Sequence, residues 1–281
     1  MRVVVTGANG QLGHDVVQSL KNRGGNDWCI HVVDFDLTDM SHTKEYLYKF
    51  LPDVVIHCAA FTDVDAAEHE QKKCWTINVD VTANIASACN SINAKLVYIS
   101  TDYVFSGEEE GLYEVYSKPD PISVYGETKL AGEKKVAQLI DSYFIVRTSW
   151  AYGVNGDNFV QAMLRIGEKE DSVNVVADQF GSPTFTEDLA NFIIDLIKSD
   201  KYGIYHATNE GFCSWAQFAV EIFNQVGYPT KVNFIKSEDY FTFAKRPKNS
   251  RLSKKSLDDG GFSRLPEWRE ALRRYLTKRG F

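Results

Sequence analysis

Six short runs rich in β-branched residues constrain this chain most: "RVVVT" (2–6), "CIHVVDF" (29–35), "DVVIHCAA" (53–60), "KLVYIST" (95–101), "SYFIVRTSW" (142–150) and "SVNVVAD" (172–178). Helical patterns lie between most of them. Each run reads as apolar on both faces, whereas a strand with one wet face alternates apolar and polar residues. Such strands need helices above and below them, and alternating strands and helices provide this in a parallel sheet with crossovers on both sides. The predicted fold is therefore α/β, a doubly wound parallel sheet.

Two further patterns, "INVDVTANIASACNSI" (77–92) and "TEDLANFIIDLIKSD" (186–200), are helical, the second with Thr186 as its expected cap. Beyond residue 150 the alternation loosens into "GVNGDNF", "DQFGSPTF" and the basic "AKRPKNSRLSKKS" (244–256), before a closing helix, "PEWREALRRYL". The expected organisation is a nucleotide-binding unit over 1–150. Residues 151–281 then finish the sheet and add a smaller C-terminal substrate-binding lobe, with no clean linker between the two.

With 281 residues, 44% of them hydrophobic, the chain has ample material for a full core. No stretch approaches the roughly 18 apolar residues of a membrane span, and the opening "MRVVVTGANGQLG" turns glycine-rich too soon for a secretory signal. Five cysteines, odd in number and without C-x-x-C, point to free thiols in a reducing cytoplasm. Six histidines without metal-ligand spacing predict no metal, and "AEHEQKKC" (67–74) reads as a solvated helix face. A net charge of -7 argues against nucleic acid as a partner.

Directly after the first run comes "TGANGQLG", with Gly7, Gly10 and Gly13, and then a helical stretch. A strand that turns into a helix while its backbone approaches a pyrophosphate needs residues without Cβ, and the helix start supplies free N–H groups. The turn thus predicts a dinucleotide on a Rossmann-like sheet. Asp34 and Asp36 after the second run suit the ribose hydroxyls of NADH, while Lys21 and Arg23 suit the 2′-phosphate of NADPH; these residues leave the choice open.

The fourth run ends in Ser100, Thr101 and Asp102, at the strand end where parallel sheets place ligands. Tyr125 and Lys129 follow, four apart and so on one side of a helix. That spacing alone arises by chance in a chain this rich in Tyr and Lys. Following a strand end of this kind, it reads as chemistry.

These features resemble the extended short-chain dehydrogenase/reductases, which share the G-x-x-G-x-x-G turn, the Ser/Thr at the fourth strand end and Y-x-x-x-K. Within them, "AAFTDVDAAE" (59–68), "ISTDYVFSG" (99–107), "VYGETKLAGE" (124–133), "VRTSWAYG" (146–153), "DQFGSPTFTEDLA" (178–190) and "RPKNSRL" (246–252) resemble the dTDP-4-dehydrorhamnose reductases along nearly the whole chain. The resemblance implies NADPH-dependent (NADH possible) reduction of the 4-keto group of dTDP-4-dehydro-6-deoxy-L-mannose to dTDP-L-rhamnose. Tyr125 would protonate O4, Lys129 would lower the phenol's pKa and bind the nicotinamide ribose, and Thr101 would hydrogen-bond the carbonyl. Gly7, Asn9, Gly10, Gln11, Leu12 and Gly13 would hold the pyrophosphate, Asp36 and Leu37 the adenine. Ala59, Ala60, Phe61 and Thr62 would line the cofactor path, braced by Asn78. Asp102, Trp150 and Arg246 would meet the substrate.

The chain departs from the resembled family at Asp15, where some members carry a glutamate that helps hold a metal between subunits; the expected state is a monomer or homodimer. The same fold also carries nucleotide-sugar epimerases and dehydratases. A regulatory subunit, the β subunit of methionine adenosyltransferase, resembles it too. The intact Thr101/Tyr125/Lys129 set favours an enzyme.

Overall fold

The computed structural model describes residues 1–25 and 27–281. Its strands are β1 (Arg2–Thr6), β2 (Cys29–Val32), β3 (Val54–His57), β4 (Lys95–Thr101), β5 (Tyr143–Thr148), β6 (Ser172–Val176), β7 (Gly203–His206) and β8 (Lys231–Ile235), with several two-residue pairings besides. Its α-helices are α1 (Gln11–Arg23), α2 (Met40–Phe50), α3 (Val64–His69), α4 (Gln71–Trp75), α5 (Val81–Ser91), α6 (Val124–Leu139), α7 (Phe159–Gly167), α8 (Thr186–Ile197), α9 (Trp215–Val226), α10 (Lys255–Asp259) and α11 (Trp268–Arg279).

Six strands form one all-parallel sheet in the order β7-β5-β4-β3-β1-β2. Residues of α1 and α8, such as Val16, Leu20, Leu189 and Ile193, bury one face, and residues of α2, α5 and α6, such as Leu47, Ile85 and Val136, bury the other. The sheet is doubly wound, as its apolar strands require. The chain runs outward from β1 to β2 and then returns to β3 on the far side of β1. A crevice therefore opens at the carboxyl ends of β1 and β3.

The run at 172–178 is not in this sheet. Ser172–Val176 pairs in parallel with β8 in a separate two-stranded sheet, and the sixth place belongs to Gly203–His206. The burial of β6 fits this: Ser172 and Asn174, on one face, are exposed, and the strand is covered on both faces only at its end, where Val175 and Val176 are buried. A second core lies beneath it, where Val160, Phe185, Phe218, Phe223, Trp268 and Tyr275 pack together. Helix α8 also starts differently from expectation. Its N-cap is Phe185, without a side-chain cap, and the Thr186 hydroxyl donates instead to Asp15 Oδ2 at 2.5 Å. Thr186 is thus a tie between α8 and α1. The helical stretch predicted from residue 77 begins as a π-turn, Thr76–Asp80, continuous with α4 and α5.

Candidate active site

A cleft of about 860 Å³ follows the carboxyl edge of the sheet, past the glycine turn to the mouth of the second core. Gly7 has φ +69°, and a Cβ there would lie 2.5 Å from the Ala59 nitrogen; one on Gly13 would lie 2.1 Å from the Gly7 carbonyl oxygen. No other residue fits either place without displacing backbone. Helix α1 starts at Gly10 with no side-chain cap, so its first N–H groups face the cleft unclaimed by side chains. Asn9, Gly10, Gln11, Leu12 and Gly13 all line it. The Gln11 amide oxygen is already engaged, accepting from Gly153 N–H at 2.8 Å and Asn158 Nδ2 at 3.0 Å, so Gln11 offers the cleft its backbone. A cradle that closes on any Cβ and ends in free N–H groups fits a pyrophosphate.

At one end of the cleft stand Asp34, Phe35, Asp36 and Leu37. Asp36 Oδ1 accepts from Thr38 N–H at 2.9 Å and Thr38 Oγ1 at 2.8 Å, and these bonds hold its carboxyl below the usual range. Neither basic residue weighed for the 2′-phosphate lines the cleft. Arg23 is turned to the opposite helix, donating to Asp195 Oδ1 at 2.9 Å and to the Asn191 carbonyl at 2.8 Å. The charged residues that line that end are Asp34 and Asp36.

Ala59, Ala60 and Thr62 line the middle of the cleft, whereas Phe61 and Asn78 stand behind it. Phe61 N–H donates to Asn78 Oδ1 at 2.8 Å, and Asn78 Nδ2 donates to the Phe61 carbonyl at 3.1 Å and to Thr128 Oγ1 at 3.0 Å. Asn78 therefore ties the 59–62 loop to α6. It braces the loop that lines the cleft from outside and is not itself a lining residue. The π-turn is the local distortion that carries it.

Thr101, Asp102, Tyr125 and Lys129 converge on the cleft. Ser123 caps α6 by accepting from Gly126 N–H at 3.2 Å, which starts the helix just before Tyr125. Lys129 is only 2% exposed, and its Nζ lies 4.1 Å from the centre of the Tyr98 ring. Burial pulls its pKa down to about 7, opposed first by the charge of Glu133. Burial also raises the Tyr125 phenol above its ordinary value, opposed by a hydrogen bond with Thr101. The phenol therefore moves opposite to the direction expected beside a lysine, because desolvation outweighs the Thr101 bond and the charge of Asp102 adds to the rise.

Asp102 is buried, and its Oδ1 accepts from Thr101 Oγ1 at 3.0 Å while Oδ2 has no partner. Burial pushes this carboxyl up to about 7. The rise is opposed first by the Ser250 hydroxyl, which acts on the carboxyl from outside the cleft lining.

Trp150 also lines the cleft, in a left-handed conformation with φ +47°, a conformation that costs a non-glycine residue roughly 1–2 kcal/mol. It is a stacked wall, with its ring 3.6 Å from that of Trp215 at an interplanar angle of 10°. Trp215, Phe159 and Phe218 complete this wall, and no local pattern in the sequence marked them. Arg246 stands outside the lining. Its guanidinium grips Asp65 through Nη2–Oδ2 at 2.5 Å and Nη1–Oδ1 at 3.3 Å. A charge expected to meet the substrate is thus already paired across the two halves of the chain.

A doubly wound sheet with a glycine cradle and with Thr101, Tyr125 and Lys129 at the same opening defines a protein of the extended short-chain dehydrogenase/reductase class. The chain matches the family model described as RmlD substrate binding domain over residues 1–280, and it belongs to that family. It is 39% identical over 278 residues to the spore coat polysaccharide biosynthesis protein SpsK of Bacillus subtilis, covering 99% of this chain and 98% of that one. It is 36% identical to a dTDP-4-dehydrorhamnose reductase of Aggregatibacter actinomycetemcomitans, covering 97% of each. A crystal structure of the dTDP-4-dehydrorhamnose reductase from Bacillus anthracis, in complex with NADP, superposes with a TM-score of 0.95 at 42% identity, covering 99% of both chains.

Proposed function

We propose that the protein is an NADPH-dependent reductase that converts the C4 ketone of dTDP-4-dehydro-6-deoxy-L-mannose into the alcohol of dTDP-L-rhamnose. The observation that carries this reading is the convergence of Thr101, Tyr125 and Lys129 beside the glycine cradle in one cleft. Full-length similarity to reductases of that name supports it.

The nicotinamide supplies the hydride that C4 receives. Tyr125 supplies the proton to O4. A reductive step needs its donor protonated at the start, and the raised pKa of this phenol keeps it so. Lys129, with a pKa near 7, supplies a cation that favours the phenolate left after transfer. The Thr101 hydroxyl exchanges its Asp102 acceptor for the sugar carbonyl, and the Asp102 Oδ1 so released takes a sugar hydroxyl. Trp150 and Trp215 offer the apolar face of the sugar a flat wall.

Dehydratases of this fold carry a carboxylate after the Thr-Asp pair to remove the C5 proton. Here Tyr103 fills the position, and burial raises its phenol above the ordinary value. It is a poor base, and the dehydratase reading loses its chemistry. Residues 1–150 serve as the nucleotide-binding unit and 151–281 as the end of the sheet and the substrate lobe. Among the described residues, no helix is long and apolar enough to cross a membrane. The reading assigns the protein to the cytoplasm, as a monomer or homodimer without a metal.

The test is turnover of purified protein with this keto sugar and each reduced nicotinamide cofactor. Equal amounts of oxidised cofactor and dTDP-L-rhamnose support the reading. No cofactor consumption here, with a 4-keto-6-deoxy product from dTDP-glucose and NAD⁺, overturns it.

A further inference from the structure

Behind the Tyr125/Lys129 pair lies a buried charge cluster that the reductase reading leaves without a role. Glu133, one helical turn beyond Lys129 on α6, is buried, as are Ser100 and Arg147. Its carboxylate accepts from Ser100 Oγ at 2.5 Å, Arg147 Nε at 2.8 Å and Arg147 Nη2 at 2.7 Å. Ser100 and Arg147 are direct partners in the β4–β5 register, one position before Thr101 and Thr148. Arg147 Nη1 reaches the Val115 carbonyl at 3.2 Å and His206 Nε2, on β7, at 3.3 Å. One carboxylate thus pins the catalytic helix to two neighbouring strand ends, and Arg147 extends the cluster to a third.

The groups facing Lys129 come from four elements. They are Glu133 on α6, Tyr98 beneath it on β4, His57 and Cys58 at the end of β3, and Cys74 on α4. Burial drives His57 down to about 3 and Cys58 up to about 12, so both are neutral around pH 7. Tyr98 also stays neutral, raised by burial. Glu133 is the one carboxylate in the set.

We propose that Glu133 is a positioning residue of this active site, which keeps Lys129 charged from one turn away while its bonds to Ser100 and Arg147 hold that helix against the Thr101 strand end. The proposal rests on the reductase reading for its consequence in the reaction, and on the one-turn spacing of Lys129 and Glu133 within α6 for the charge itself. Removing the negative neighbour favours neutral Lys129, so the pKa falls and the charged form is lost at lower pH.

Two measurements on the full chain test this. The Nζ resonance of Lys129 is titrated by NMR without cofactor, and kcat/KM is followed against pH with keto sugar and NADPH. In Glu133→Gln both the lysine midpoint and the basic limb of the rate profile move down by about one pH unit. Glu133→Asp, which keeps the charge, leaves them near the wild-type position. Should Glu133→Gln leave Arg147 unpaired and the protein unfolded, the double variant Glu133→Gln/Arg147→Met removes both buried charges and shows a smaller shift of the same sign. A lysine midpoint that stays in place, with the rate lowered equally at every pH, overturns the proposal. A midpoint that moves while the rate limb stays sustains it, and removes Lys129 from the reaction instead.

Discussion

The ammonium of Lys129 sits over the Tyr98 ring, and the hydroxyl of the same tyrosine donates to the Lys129 carbonyl at 3.2 Å. A desolvated cation on an aromatic face gains about 2 kcal/mol, and here the ring is a fixed part of the sheet. Tyr98→Leu removes that face, and kcat/KM is expected to fall at least roughly tenfold, whereas Tyr98→Phe keeps it within about threefold of wild type. Steady-state kinetics on the two variants separates the ring from the hydroxyl. Equal losses in both would show that the backbone bond matters and the ring does not.

Tyr125→Phe removes the proposed proton donor and leaves the cradle intact. Turnover is expected to drop by at least about a hundredfold, the scale of general acid catalysis, with NADPH affinity unchanged by fluorescence titration. A Phe variant that turns over at the normal rate would exclude Tyr125 as the donor.

Arg23 is held by Asp195 on the far side of α1, so Arg23→Ala is expected to leave the ratio of kcat/KM for NADPH and NADH unchanged. Asp34 faces the cleft, where a 2′-phosphate would meet its charge. Asp34→Asn is expected to raise the NADPH-to-NADH ratio roughly tenfold, equivalent to about 1.4 kcal/mol in transition-state binding. A ratio that follows Arg23 and ignores Asp34 would reverse this assignment.

Asp102 titrates near 7 in the folded chain, against 3.8 for an ordinary aspartate. Between those values the folded state binds the extra proton, so wild-type stability falls as pH rises through the window and the loss is complete above it. Asp102→Asn has no such charge to bury. Its melting temperature is expected to exceed that of wild type by several degrees above pH 8 or so, with the gap closing towards about pH 4. Substrate KM should rise in the same variant, as the proposed contact of Asp102 with the sugar requires. Parallel melting curves across pH would show that the carboxyl is solvated.

Much of this was legible because its signals are local. A turn that must lack Cβ atoms, a strand ending in Ser-Thr-Asp and a Tyr/Lys pair one helical turn apart are all written within a few residues. The sixth sheet strand is hard to read because "GIYH" is four residues long and starts in glycine, while "SVNVV" carries the stronger β pattern although Ser172 and Asn174 are exposed. Thr186 looked like a cap until its hydroxyl found Asp15, 171 positions away. The Trp150–Trp215 wall and the Asp65–Arg246 grip likewise join distant positions, and no window of sequence contains both partners.

The position of β7 at the sheet border bears on how this chain is made. Five strands of the sheet are complete once residue 148 has been synthesised, and until Gly203–His206 arrives β5 shows a bare row of N–H and C=O groups. Leu257 and Leu265, later still, seal the face that α1 and α8 cover. A nascent chain is therefore at its stickiest midway through translation, with an open β-edge and an uncovered apolar face together. A ribosome stall between those points, or a truncation near residue 150, would release a species that templates its own aggregation.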